Sequence, residues 1–153
     1  MNVEEKIAAM GLELPPPARP VGSYVPAVRT GALIYTSGQL PTVGGEPRYR
    51  GKVGQTVTLE QAQDAARLCA LNALGALRAE LGDLDRIRRI VKVTGFVNCG
   101  PDFTEQAAVL NGASNFLQDA LGDAGRHARA AVGCVSLPLG CPVEVELIAE
   151  VAE

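Results

Sequence analysis

An α+β domain, with one mixed sheet carrying two helices on one face in the order ββαβαββ, is the fold class this sequence predicts. Three observations carry the expectation. Two long segments repeat apolar residues at helical spacing. Strand-like runs stand before, between and after them. The chain has 153 residues and is 47% hydrophobic, enough for one core and too short for two domains of ordinary size.

In chain order, residues 1–20 read as an arm laid over a single domain of residues 21–153. Residues 3–10 suit a short helix, but Pro15-Pro16-Pro17 ends regular structure and stiffens the chain into an extended lead-in. Ser23 to Val28 and Ala32 to Ser37 read as two strands with Arg29-Thr30-Gly31 between them, a hairpin signature. Pro26 has no N–H to donate, so its strand must lie at an unpaired edge. Gly38 to Gly54 is rich in Gly and Pro and reads as a loop holding one short strand.

Thr58-Leu59-Glu60-Gln61 has the form of a capping box and opens a helix running to about Leu81, where Gly82 stops it. Ala62, Ala65, Ala66, Cys69, Ala73, Leu77 and Leu81 form its inner stripe, with Asp64, Arg67 and Arg78 opposite. Ile87 to Val97 reads as a strand. Asp102-Phe103-Thr104-Glu105 predicts a second box, with a helix reaching about Leu121. Asn111-Gly112 sits awkwardly within it, since Gly costs ~1 kcal/mol against Ala in a helix. Either the helix starts after that pair or the pair has a task. Arg129 to Ser136 alternates, with Ala130, Val132 and Cys134 on one side and Arg129, Ala131, Gly133 and Val135 on the other. After a turn at Leu137 to Gly140, Val143, Val145, Leu147, Ala149 and Val151 face one way and Glu144, Glu146, Ile148 and Glu150 the other.

Composition narrows the function classes. The formal charge is −3 and the isoelectric point about 5.2, whereas a general grip on nucleic acid needs a basic surface. A nucleic-acid partner is therefore not expected. Apolar runs fall far short of the ~20 residues of a membrane span, and the acidic N-terminus lacks the build of a signal peptide. No membrane partner is expected, and the cytoplasm is the expected location. Cys69, Cys99, Cys134 and Cys141 are scattered and His127 is the sole histidine, so reduced apolar cysteines are expected and no metal site. No Gly-rich phosphate loop, nucleophile elbow or zincin motif appears, and His127 has no convincing nucleophile to pair with.

What remains is polar residues on strands. Arg129 shares a face with Ala131 and Gly133, and a guanidinium there is a rigid fork for a carboxylate. The same pattern fits a strand-end arginine in solvent equally well. Glu144 fits a surface glutamate better than a site residue on pattern alone. Thr36-Ser37-Gly38-Gln39 reads as turn chemistry, Tyr24 as a hairpin aromatic and Asn111 as a helix amide.

Ser23-Tyr24-Val25, Thr36-Ser37-Gly38-Gln39-Leu40-Pro41 and the run from Arg129 through Leu137-Pro138, with Val143-Glu144-Val145-Glu146, together resemble the RidA/YjgF family of reactive-intermediate deaminases. The resemblance spans roughly residues 20–152. It implies a chorismate-mutase-like fold and a homotrimer whose sheets join in a barrel, with ligand sites between subunits. It implies that Arg129 takes the carboxylate of a 2-imino acid such as 2-iminopropanoate, or of the enamine 2-aminoacrylate. Glu144 would position or activate water, giving a 2-keto acid and ammonia with no cofactor. Ser37, Gly38 and the main chain at Ala131 would surround the substrate. Tyr24 would cover the cleft, and Asn111 would reach in from the adjoining subunit. The family's deaminase branch has cysteine where Ala131 stands and a serine where Ala130 stands, so no thiol is at hand here. A trimer that binds small carboxylates or keto acids without turnover is the alternative reading. RNA cleavage is a weaker one.

Overall fold

Helix α2 (Leu59–Leu81) is the spine of the fold, and in the computed structural model, which describes residues 1–153, local chemistry sets both its ends. Thr58 Oγ1 accepts the Gln61 N–H at 3.1 Å while Gln61 Oε1 accepts the Thr58 N–H at 3.0 Å, closing the expected box. Gly82 ends the helix in the left-handed conformation at φ 78°, returning its N–H to the Arg78 carbonyl. Every residue of the expected inner stripe is buried.

Around α2 stand α1 (Val3–Ala9), strands β1 (Ala27–Thr30), β2 (Leu33–Thr36), β3 (Thr42–Val43), β4 (Glu46–Pro47) and β5 (Ile87–Asn98), then α3 (Gln106–Leu121), β6 (Ala128–Cys134) and β7 (Val143–Val151). The main sheet has the order β1-β2-β7-β5-β6; β5 and β6 run parallel and every other neighbouring pair is antiparallel. The fold is the mixed α+β class expected, with α2 and α3 on one face. On β7, Val143, Val145, Leu147, Ala149 and Val151 are buried under the helices, and the residues between them are half-buried. Burying each such valine or leucine contributes ~1.5–3 kcal/mol. No helix is long and apolar enough to cross a membrane.

Several local expectations change. The first strand begins at Ala27, not Ser23. Pro26 cannot donate to a ladder, and it contributes only its carbonyl, which accepts the Ser37 N–H at 2.8 Å. The 38–54 loop holds two short strands, β3 and β4, rather than one. The box at Asp102 does not form: the Phe103 N–H turns back to the Gly100 carbonyl, and α3 starts at Gln106 with no side-chain cap. The arm's helix joins the main core, with Val3 and Ile7 buried, the Val3 N–H on Asp85 Oδ1 at 3.0 Å and Arg78 on Glu4 at 3.0 Å.

Asn111-Gly112 lies within α3, and the pair has its task. A Cβ on Gly112 would run into the Gln63 carbonyl of α2, so only glycine lets the helices cross this closely. Gln63 Nε2 donates to the Ala108 carbonyl across the same crossing, at 2.9 Å.

Candidate functional site

The sheet register divides the expected site residues between two faces. Arg129 sits in a row with Val93 and Leu147, both buried beneath the helices. Glu144 sits in a row with Phe96, and Phe96 with Val132, on the face that the helices leave uncovered. A single chain therefore cannot bring Arg129 and Glu144 into one pocket.

Tyr24, Ser37, Gly38 and Glu144 do come together, lining a cleft of about 150 Å³ with the arm's Arg19 and the turn residue Leu139. That is below the roughly 300 Å³ at which sites for drug-sized ligands begin, and it suits a ligand of few atoms. Ser37 ties the segment in place: its hydroxyl donates to the Val25 carbonyl at 2.6 Å. Gln39 exchanges backbone hydrogen bonds with Val145, at 2.8 and 3.0 Å, which sets the 37–39 segment beside Glu144. A Cβ on Gly38 would collide with Glu144 Oε1, so the glycine makes room for the carboxylate. Glu144 is half-buried and pairs with no cation within the chain. Burial pushes its carboxyl above the usual range, and the negative charge of Glu146 pushes it further.

Arg129, Asn111 and Ala131 form the second group, at the edge strand β6 and under α3, so Asn111 sits beside the Arg129 of its own chain rather than reaching it from an adjoining subunit as the resemblance implies. Arg129 Nη1 donates to Asn111 Oδ1 at 2.9 Å and to Ser114 Oγ at 3.0 Å, and Nη2 donates to the Ala107 carbonyl at 3.2 Å. Residues 107, 111 and 114 share one helix face by their spacing. These contacts leave the Nε–H and one Nη2 hydrogen unengaged within the chain, a pair of donors that a carboxylate takes together. Arg129 has no carboxylate partner in its own chain. Arg129 is half-buried and held against α3 by these three contacts.

Sequence reasoning missed Ser114, His127 and Arg19. Ser114 Oγ lies 2.9 Å from His127 Nε2, so the lone histidine does have a hydroxyl partner, one that is only 6% exposed. The i, i+3 spacing of Asn111 and Ser114 was the available signal. No three His, Cys, Asp or Glu side chains converge as metal ligands. The four cysteines are free, and burial pushes the thiols of Cys69, Cys134 and Cys141 up, which suits small apolar residues.

Comparison with known proteins places the fold. A family model described as "YjgF/chorismate mutase-like, putative endoribonuclease" matches residues 4–151. Protein TCP17 of Trypanosoma cruzi is 44% identical over 152 residues, covering 97% of this chain and 94% of that protein. The structure of Atu1372, a protein of unknown function from Agrobacterium tumefaciens, is 46% identical and superposes with a TM-score of 0.93 over 98% of this chain and 92% of its own. E. coli TdcF, solved with bound serine, is 26% identical with a TM-score of 0.63 over 90% and 94%.

Proposed function

The chain belongs to the YjgF/chorismate mutase-like family, and from that premise we propose that it is a cytoplasmic, cofactor-independent hydrolase of reactive 2-imino acids. Its substrates are of the 2-iminopropanoate and 2-aminoacrylate type, its products a 2-keto acid and ammonia, and its sites lie between subunits of a homotrimer. One observation carries the proposal: an unpaired guanidinium fork and an unpaired, desolvated carboxylate stand on opposite faces of one sheet. Each is half of a site. A neighbouring copy that lays its Glu144 cleft against the β6 edge of this chain completes it. Val28, Tyr35 and Val132 on the Glu144 face are 55%, 44% and 46% exposed in the single chain, an apolar surface suited to such contact. TdcF holds serine, which shares with an imino acid a carboxylate beside a nitrogen-bearing carbon.

The chemistry asks little of the protein, because an imine carbon is already electrophilic. Arg129 grips the substrate carboxylate, fixing that carbon beside a water held by Glu144 of the adjoining copy. Glu144 takes a proton as the water oxygen bonds to carbon, and the electron pair of the C=N bond moves to nitrogen. That proton then passes to nitrogen, giving the carbinolamine; a second proton moves from its hydroxyl to the nitrogen, and the C–N bond breaks so that ammonia leaves as the C=O of the keto acid forms. Ser37 and Gly38 shape the cleft, Tyr24 covers it, and the backbone at Ala131 flanks the substrate without needing a thiol. RNA cleavage fits the site less well, since the only histidine has both ring nitrogens engaged, on Ser114 and on the Gly125 carbonyl.

The test couples an amino-acid oxidase to the protein and follows imine loss. Arg129→Ala is expected to lower kcat/KM about a hundredfold, because losing a desolvated charged contact costs ~2–5 kcal/mol. Equal clearance by wild type and variant would overturn the proposal. Glu144→Gln is expected to abolish turnover while retaining affinity for pyruvate. A wild type that binds pyruvate but never hydrolyses an imine would make the chain a binding trimer instead.

A further inference from the structure

Building on the reading of Arg129 as the carboxylate fork, we infer that His127 is a positioning residue for it, acting through Ser114. His127 Nδ1 lies 2.6 Å from the carbonyl oxygen of Gly125, which can only accept, so the ring proton is assigned to Nδ1. In that tautomer Nε2 is an acceptor, and the Ser114 hydroxyl 2.9 Å away donates to it. With its hydrogen committed, Ser114 Oγ turns its lone pairs toward Arg129 Nη1 at 3.0 Å. The bonds run in one direction: Arg129 donates to Ser114, Ser114 to His127, and His127 to Gly125.

The consequence falls on the fork. Ser114 and Asn111 occupy both Nη1 hydrogens and the Ala107 carbonyl holds one on Nη2, so three points fix the guanidinium plane. The Nε–H and the second Nη2 hydrogen are what remains to offer a ligand. Without His127 the Ser114 hydroxyl rotates freely and can point its hydrogen at Nη1, loosening that plane. Local packing supports the arrangement: a Cβ on Gly125 would run into the Leu117 carbonyl, so glycine there brings the 125–127 segment against α3. At 6% exposure Ser114 is no candidate to attack a substrate itself.

His127→Ala, His127→Gln and Ser114→Ala are compared with wild type for KM and kcat on 2-iminopropanoate, and for pyruvate affinity by calorimetry. A fork that binds ground and transition states alike predicts a rise in KM, and in the pyruvate Kd, of about tenfold for His127→Ala and Ser114→Ala, with kcat within about twofold. His127→Gln keeps an oxygen that can accept from Ser114 and is expected to recover most of the loss. A histidine that serves stability alone would lower Tm in both His127 variants and leave KM and the pyruvate Kd unmoved, which overturns the inference. If wild type binds pyruvate without hydrolysing imines, the deaminase reading falls and the pyruvate affinities still decide the role of His127. A wild type that binds neither overturns both.

Discussion

Gly38 and Glu144 form a pair in which the missing side chain matters as much as the one present. A methyl group on Gly38 would occupy the place of Glu144 Oε1, so Gly38→Ala is expected to displace the carboxylate and cut kcat at least about tenfold, on the scale of losing one positioned acid–base group. Steady-state kinetics beside a thermal melt check this, since the melt should change little. Glu144 also titrates from an unusual starting point. Its carboxyl is raised above 4.5 by burial first and by Glu146 second, so it binds its proton more tightly folded than unfolded. Such a group removes stability as pH rises from its unfolded value through its folded one. The Tm advantage of Glu144→Gln over wild type should therefore open as pH climbs above 4.5 and level off once the folded carboxyl has ionised. A difference that is flat with pH would show that Glu144 is not desolvated. Turnover should rise through the same window, because only the carboxylate can take a proton from water.

The crossing of α2 and α3 sets where Asn111 and Ser114 stand. Gly112→Ala adds ~1 kcal/mol of helix propensity but forces a methyl into the Gln63 carbonyl. Overpacking of this kind typically costs ~1–3 kcal/mol, so the net expectation is a modest loss of stability in urea. KM should rise with it, because Asn111 and Ser114 move with the helix. A stabilised variant with unchanged KM would mean that the crossing has slack. Elements whose cause is local were legible beforehand: the α2 capping box, its Gly82 stop, its alanine stripe and the alternation of β7 all depend on residues a few places apart. The Asp102 box had the same local form and failed, because α3 begins only at Gln106, which puts Glu105 rather than Asp102 at its N-cap. Ser114 and His127 were not legible as a pair. A serine inside a helix has no signature of its own, and its meaning comes from β6 entering the sheet parallel to β5 and beneath α3. Tyr24, Ser37, Gly38, Asn111, Arg129 and Glu144 were named through family resemblance, since pattern alone favoured ordinary roles for most of them. What neither route supplied was their division between two sheet faces, which depends on β7 lying between β2 and β5.

That division makes the number of chains part of the chemistry. If each site takes Arg129 from one copy and Glu144 from the next, a 16.0 kDa chain by itself has no complete site, and sedimentation should show a species of three chains. Assayed well below KM, the Arg129→Ala homotrimer is expected to keep about a hundredth of wild-type activity and the Glu144→Gln homotrimer none, so both parents are effectively silent. Dissociating the two variants together and reassembling them tests the arrangement directly. In a mixed trimer, a seam where a Glu144→Gln chain supplies its intact Arg129 to the intact Glu144 of an Arg129→Ala chain is a wild-type site. Random assembly of an equal mixture creates such seams at about a quarter of all interfaces, since a cyclic trimer repeats one head-to-tail contact. Activity should thus return to about a quarter of the wild-type level from two effectively silent parents, and only when subunits exchange. A site contained within one chain predicts no recovery, because every chain in the mixture carries one defect.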